Sequence, residues 1–403
     1  MSDVEKVRIS LYLCTKFKRT RFFMFNGLKF TFLFALLGLV FGSIPAAAEP
    51  SNAHQKESSN FKPGDFIMHH IADAHEIHFF TLNEGTPEEK HFSIYLPIIV
   101  KTEAGWEFFS SSHFYHNEKS IVTPKGHEHY YANPEHHMVM FHEKIYSSAD
   151  GMLVIDAAGH PDHTKHQELF DLSITKSVFG FLLVGALTIF IFASIAKSYK
   201  RNAGKAPKGL QSFLEPLILF IRDEIAKPSI GHHYEKFTPF LLSTFFFIFL
   251  MNILGLIPFL GGFNITGTLG VTAVLATVVF VITSINGNGH YWGHIFWPPG
   301  VPGFVKVILI PIEILGLFIK PFVLMVRLTA NITAGHIIIL SFVSLIFIFG
   351  QNSAGAGYGI GIGSLAFMIF MNFIELLVAF LQAYVFTLLA ALYFGSATEE
   401  VHH

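Results

Sequence analysis

The chain has 403 residues, 51% of them hydrophobic and only 14% charged, with 46 Phe and a formal net charge of −2. Apolar content this high places it among integral membrane proteins. A near-neutral charge with no dense basic patch excludes a nucleic-acid partner.

Lys16, Lys18, Arg19, Arg21 and Lys29 precede the apolar run Phe30 to Gly42, which is followed by "SIPAAAEP" with small residues at Ala46 to Ala48. This pattern predicts a signal peptide over residues 1–48, cut after Ala48; an uncleaved first membrane helix is the alternative. Cys14, the sole cysteine, would leave with the signal, so disulfide and thiol chemistry are excluded from the mature chain.

Residues 49–170 are polar and hold 16 of the 23 histidines, and they form the expected exported domain. Alternating stretches His91 to Lys101 and His137 to Ile145 predict short strands, with "NEGTPEEK" and "TPKGHEHY" as turns. The histidines admit three readings. His127 and His129 around Glu128, or His160, His163 and His166, could converge on zinc or copper. They could equally be solvated surface, or proton buffers that line a vestibule at the membrane face.

Residues 171–403 read as the membrane domain. Ser173 to Lys197 is long enough to span, and the following Lys200, Arg201, Lys205 and Lys208 place the next loop, and with it the C-terminus, on the cytoplasmic side. Gly209 to Gly231 predicts an amphipathic helix along the membrane surface. Further spans are expected at Phe237 to Ile257, Leu269 to Ile285, Val305 to Ile348 and Ile360 to Tyr393, divided by "GLIPFLGG", "NGNGHYWGHIFWPPGVPG" and "GQNSAGAGYGIGIG". The third is too long for one crossing, which predicts a bent hairpin or a tilted helix plus a short one, with Pro321 breaking it. The fold class is thus an all-α polytopic membrane protein of about five spans plus a surface helix, with long curved last helices and a small β-rich N-terminal domain.

Between Phe237 and Thr398 the only charges are Lys306, Glu313, Lys320, Arg327 and Glu375. A charge at mid-bilayer costs roughly 2.5 to 3.5 kcal/mol on insertion scales, so such residues face protein or water and serve function. Glu313, Lys320 and Arg327 recur every seven residues, and Asn331 follows one turn later, which aligns them on one stripe. Glu375, Gln382 and Tyr393 share a face of the last helix. His336, nine residues beyond Arg327, lies about 13 Å along the axis and on nearly the opposite side.

"RLTANITAGHIIIL" and "IELLVAFLQAYVFTLLAALYF", with "FLEPLILFIRDEIAKP" and "MNILGLIPF", resemble subunit a of the F-type ATP synthase over most of Gly209 to Tyr393. The resemblance implies a membrane stator subunit with two offset proton half-channels. It makes Arg327 the residue that faces each c-ring carboxylate, and Asn331 and Gln382 its polar neighbours. His336 and Glu375 would line the outer half-channel, in the exchanged arrangement that some members carry. Glu313 and Lys320 would lie towards the cytoplasm, and Tyr393 and Asn252 are weaker matches. Implied partners are the c-ring, b-type peripheral stalk subunits and lipid, in a bacterial inner membrane with the N-terminal domain periplasmic. No nucleotide, metal or cofactor is expected, and the chain would catalyse nothing alone, since it has no P-loop. The long His-rich segment departs from the family pattern. Rival classes are a secondary transporter, which would usually show paired repeats where none is found, and a metal-binding receptor, which leaves Arg327 and Glu375 without a role.

Overall fold

The computed structural model describes residues 71–82, 90–124, 126–202, 205–257 and 263–399, together with Pro63, Gly64 and Ile67. The predicted signal peptide and the "GLIPFLGG" break after Ile257 lie outside the described residues.

The N-terminal part is antiparallel β. Strands β1 (Glu76–Leu82) and β2 (Lys90–Tyr95) form a hairpin. Strands β3 (Pro97–Thr102) and β4 (Gly105–Ser110) join β9 (Phe170–Asp171) in the order β4-β3-β9. After the single turn α1 (Ser112–Tyr115), β5 (Glu118–Thr123), β6 (Gly126–Asn133), β7 (Met138–Phe141) and β8 (Lys144–Ser147) form a four-stranded meander. Ile98, Val100, Phe114, Met138, Met140 and Ile145 close its core. "TPKGHEHY" is not wholly a turn, because β6 begins at Gly126 and pairs with β5. The aromatic and β-branched residues on either side outweigh the polar histidines.

Helix α2 (Lys176–Arg201) is the first candidate span. It is followed by α3 (Leu210–Phe220), a π turn at Ile221–Ala226, the short α4 (Lys227–Ile230) and α5 (Tyr234–Leu256). Helix α6 (Leu269–Asn286) spans next, and α7 (Gly289–Phe296) is a short helix inside a segment expected to be a break. Asn288 starts it by accepting a hydrogen bond from Tyr291 N at 2.8 Å. Five helical stretches among the described residues are long and apolar enough to cross a membrane.

The two last helices correct the sequence expectation. Helix α8 (Gly303–Asn352) is one continuous rod, with Pro311 and Pro321 inside it. Its 50 residues rise about 75 Å, far more than the bilayer needs, so it is neither a hairpin nor two pieces. Proline does not stop it because, away from water, every backbone group that leaves the helix needs a new partner. Helix α9 (Ala354–Thr398) likewise runs through the glycine-rich stretch. The break shrinks to Ser353, whose extended backbone ends α8 and whose Oγ accepts from Ala356 N at 3.1 Å to start α9. The glycines instead let the two helices touch: a Cβ on Gly357 would lie 2.8 Å from Gly350 Cα.

One apolar core joins the helices and reaches into the β part, since Ile77 and Leu96 are buried in the same cluster as Phe181, Phe245, Leu328 and Phe394. By contrast much of the outer surface of α8 and α9 is bare, with Phe318, Phe322, Phe370 and Phe373 more than half exposed.

Candidate functional site

The site is built where α8 crosses α5, α6 and α9. Glu313, Lys320, Arg327 and Asn331 keep their common stripe because Pro321 leaves the rod intact. Arg327 and Asn331 are exposed on it. Arg327 forms no hydrogen bond or ion pair with any described residue, although Leu324 and Leu328 beside it are buried. The register of α8 at this level is set by Thr329, whose Oγ1 meets Thr272 Oγ1 of α6 at 2.6 Å. Sequence reasoning missed this contact, since a threonine in a span usually bonds its own helix.

Glu375 and His336 lie inward. Glu375 is buried on α9, and neither of its carboxylate oxygens has a hydrogen-bond partner among the described residues. Its carboxyl group rests on Gly335, where an added Cβ would lie 2.7 Å from Oε1. His336 turns the other way, its Nε2 reaching 3.6 Å from the place a Cβ on Gly255 of α5 would take. Arg327 and His336 thus occupy different sides of α8, as their spacing predicts.

Asn252 is buried between helices. It donates through Nδ2 to Ala379 O of α9 at 3.1 Å and accepts from Thr266 Oγ1 at 2.8 Å. It is therefore a brace that fixes the helical turn after Glu375, not a group open to water. Gln382 is buried farther along the same helix.

Lys320 and Tyr393 are brought together at the opposite end, with the Lys320 ammonium 5.6 Å from the centre of the Tyr393 ring. They line a narrow cavity of about 20 Å³, water-sized, with Thr283, Tyr291 and Ser396. Glu313 is half-buried two turns before Lys320. Along α8, Arg327 stands between this cavity, about 10 Å back, and His336, about 13 Å ahead.

Comparison with known proteins decides what this arrangement belongs to. The ATP synthase A chain family matches residues 178–395, more than half of the chain. The chain belongs to this family. ATP synthase subunit a of Chloroherpeton thalassium is 42% identical over 240 residues, 58% of this chain and 69% of the relative. ATP synthase subunit a 2 of Chlorobaculum tepidum is 44% identical over 250 residues, 59% and 67% of the two chains. ATP synthase subunit a of Myxococcus xanthus is 41% identical over 244 residues, 58% and 75%. Family membership makes the chain the multi-pass membrane stator subunit of an ATP synthase. Residues 66–172 match a second family, described as a domain of unknown function (DUF8433).

Among the described residues, His129, His160, His163 and His166 do not converge on a common site. His129 Nδ1 lies 2.9 Å from Glu118, while Glu128 is buried with Oε2 3.3 Å from His142 Nε2, as strand alternation requires. His166 is buried and committed, its Nε2 accepting from Val154 N and its Nδ1 facing Ser147 O. The described residues instead bring His113, Glu135 and His136 within 4.8 Å of one another at the domain surface. The buried histidine that sequence reasoning passed over is His75, which sits against the start of α2.

Proposed function

We propose that this chain translocates protons past Arg327 and couples their flow to rotation of a c-ring and to ATP synthesis. The single observation that carries the reading is the pairing, among the described residues, of an exposed Arg327 that meets no carboxylate with a buried Glu375 whose oxygens have no hydrogen-bond partner. A guanidinium in a span needs an anion or water, and a buried carboxyl needs a proton, a donor or water. Each requirement is met if protons reach Glu375 and a mobile acid reaches Arg327.

The chemistry follows from solvation. A carboxyl group on the rotor is neutral while it faces lipid, because a bare charge there is prohibitive. Opposite Arg327 the fixed positive charge favours its ionised form. Arginine suits this place better than lysine because guanidinium keeps its protons in a low-dielectric slot and so cannot carry one across. Arg327 thereby draws the acid in and separates two water-accessible paths. His336 and Glu375 belong to the path on the side of the β domain, and Lys320, Tyr393 and Glu313 to the path on the other. Asn331 and Gln382 supply polar neighbours for the passing acid.

With the basic loop after α2 on the cytoplasmic side, the β domain and the His336 path face outward, in a bacterial inner membrane. The c-ring covers the bare face of α8 and α9, and b-type stalk subunits hold the chain against rotation. ATP itself is handled by partner subunits.

Arg327→Ala tests the reading in inverted membrane vesicles. ATP-driven proton pumping is expected to vanish while assembly with the c-ring persists, and coupled pumping that survives would refute the reading.

A further inference from the structure

A patch of the β domain formed by α1 and the turn between β6 and β7 gathers imidazole and carboxylate groups that neither the proton path nor the domain core uses. His113 sits on the single turn α1, which the fully buried Phe114 anchors in the core. Phe114 N and Tyr115 N donate to Ser111 O at 2.9 and 3.3 Å, and Asn117 Nδ2 donates to His113 O at 3.3 Å, so the backbone beneath the His113 ring is fixed. Glu135 and His136 lie in the turn that follows β6. Asn133 opens that turn by accepting from His136 N at 3.3 Å through Oδ1, and Pro134 presets the backbone after it. Ala132 N donates to Asn117 O at 3.0 Å, which ties the end of α1 to the strand leading into the turn.

Three donor atoms, one each from His113, Glu135 and His136, lie within 4.8 Å of one another. A tetrahedral zinc ion about 2.0–2.2 Å from its ligands holds them about 3.3 Å apart. His113 Nδ1 and Glu135 Oε2 already stand at 3.4 Å. Their side chains are 44% and 76% exposed, so a small rotation closes what is left.

His136 is held as a ligating imidazole is held. Its Nδ1 lies 2.7 Å from Glu107 Oε2, and Glu107 Oε1 in turn accepts from Thr102 Oγ1 at 3.2 Å. The ring stacks on Phe109, with 4.2 Å between centroids and 13° between planes. A carboxylate that accepts the Nδ1 proton leaves the Nε2 lone pair for a metal and fixes the ring's direction. The cluster opens on a groove of about 360 Å³, which Asn133 also lines. Asn133 is 1% exposed, and its Nδ2 has no hydrogen-bond partner among the described residues. A buried donor without an acceptor calls for one, and a water or hydroxide on a metal beside it would serve.

We propose that His113, His136 and Glu135 bind one divalent cation of the zinc class per chain, with water in the fourth place and Glu107 as the positioning residue behind His136. Two imidazoles with one carboxylate select transition ions over Mg²⁺ and Ca²⁺, which take oxygen ligands. The ion clamps α1 to the turn between β6 and β7. It stands apart from the translocation reading, because none of its ligands belongs to the proton path.

The test uses purified synthase containing the full chain, stripped with a chelator and dialysed against zinc chloride at about pH 7.5, because binding displaces ligand protons. Bound zinc is counted by elemental analysis, and affinity is read by competition with a chromogenic chelator. The unmodified protein is expected to hold one zinc per chain more than His113→Gln or His136→Gln, and excess Mg²⁺ is expected not to displace it. Glu135→Gln, at an exposed position whose change leaves the fold intact, is expected to bind that zinc at least tenfold more weakly. Glu107→Gln keeps all three ligands. It is expected to weaken binding about tenfold, the low end for a lost outer partner because the amide oxygen still accepts from Nδ1. Equal zinc counts in the unmodified and both histidine variants would mean adventitious binding elsewhere and overturn the proposal, as would displacement by Mg²⁺. An unmoved affinity in Glu107→Gln overturns the role given to that residue. Zinc is counted without reference to proton flux, so failure here leaves the translocation reading to its own test.

Discussion

Gly335 offers a sharp test of how Glu375 is placed. An alanine Cβ there would lie 2.7 Å from Glu375 Oε1, whereas ordinary contact begins at 3.4 Å, so the carboxyl must withdraw by 0.7 Å (3.4 − 2.7). The backbone has no objection, because Gly→Ala inside a helix favours the helix by about 1 kcal/mol. The substitution therefore leaves the fold intact and moves one carboxyl group. A misplacement of about 1 Å can cost 10²-fold in a reaction that depends on alignment, so roughly tenfold slower proton flux is expected. The assay is passive proton flux through the reconstituted membrane sector, with head-group binding as the control for assembly. Glu375→Asp, one methylene shorter, should restore part of the flux when combined with Gly335→Ala. Unimpaired flux in Gly335→Ala would refute the placement of Glu375 against this glycine.

Three further outcomes follow. The buried His75 ring lies 3.1 Å from Glu143 and 3.2 Å from Asp171 where the β domain joins α2. His75→Leu leaves the half-buried Glu143 and Asp171 without their cation, which should destabilise the junction by about 1–3 kcal/mol, read as protease cleavage before α2 in the intact protein. In the unmodified chain burial alone would lower the His75 pKa, but the hydrogen bonds that its ring donates to Asp171 and Glu143 raise it from 6.5 to about 10; the stabilisation is complete below pH 6.5 and lost as pH climbs through about 10, so cleavage should appear at the alkaline end. Asn252→Ala removes one hydrogen bond to α9 and one to Thr266 in the turn before α6, and since such side-chain bonds in membranes average about 0.6 kcal/mol, a shift of roughly 1 kcal/mol is expected in detergent unfolding.

The membrane part was legible in sequence because its signals are strong. Five charges in 162 residues mark the candidate positions whatever the packing, and a seven-residue recurrence places Lys320 and Arg327 on one stripe without coordinates. Breaks were misjudged where rules learned in water were applied to lipid: Pro321 and the glycines near Gly357 remain helical, and Ser353 alone ends α8. What could not be read were contacts between distant segments. Nothing near His75 in sequence names Glu143 or Asp171, which lie 68 and 96 residues away. Thr272 and Thr329, likewise, are 57 residues apart. His160, His163 and His166 drew notice through regular spacing, yet in irregular chain between β8 and β9 that spacing carries no face.

The account stands or falls on what covers Arg327. With Cys14 changed to Ser the chain has no thiol, so a single cysteine at Asn331, exposed one turn from Arg327, reports its own neighbour. It is expected to form a disulfide with a cysteine placed beside the ion-binding carboxylate of a rotor subunit, stopping ATP-driven pumping until a reductant is added. If residue 331 meets no rotor subunit under oxidation while pumping continues, Arg327 does not face the moving acid and the mechanism is wrong.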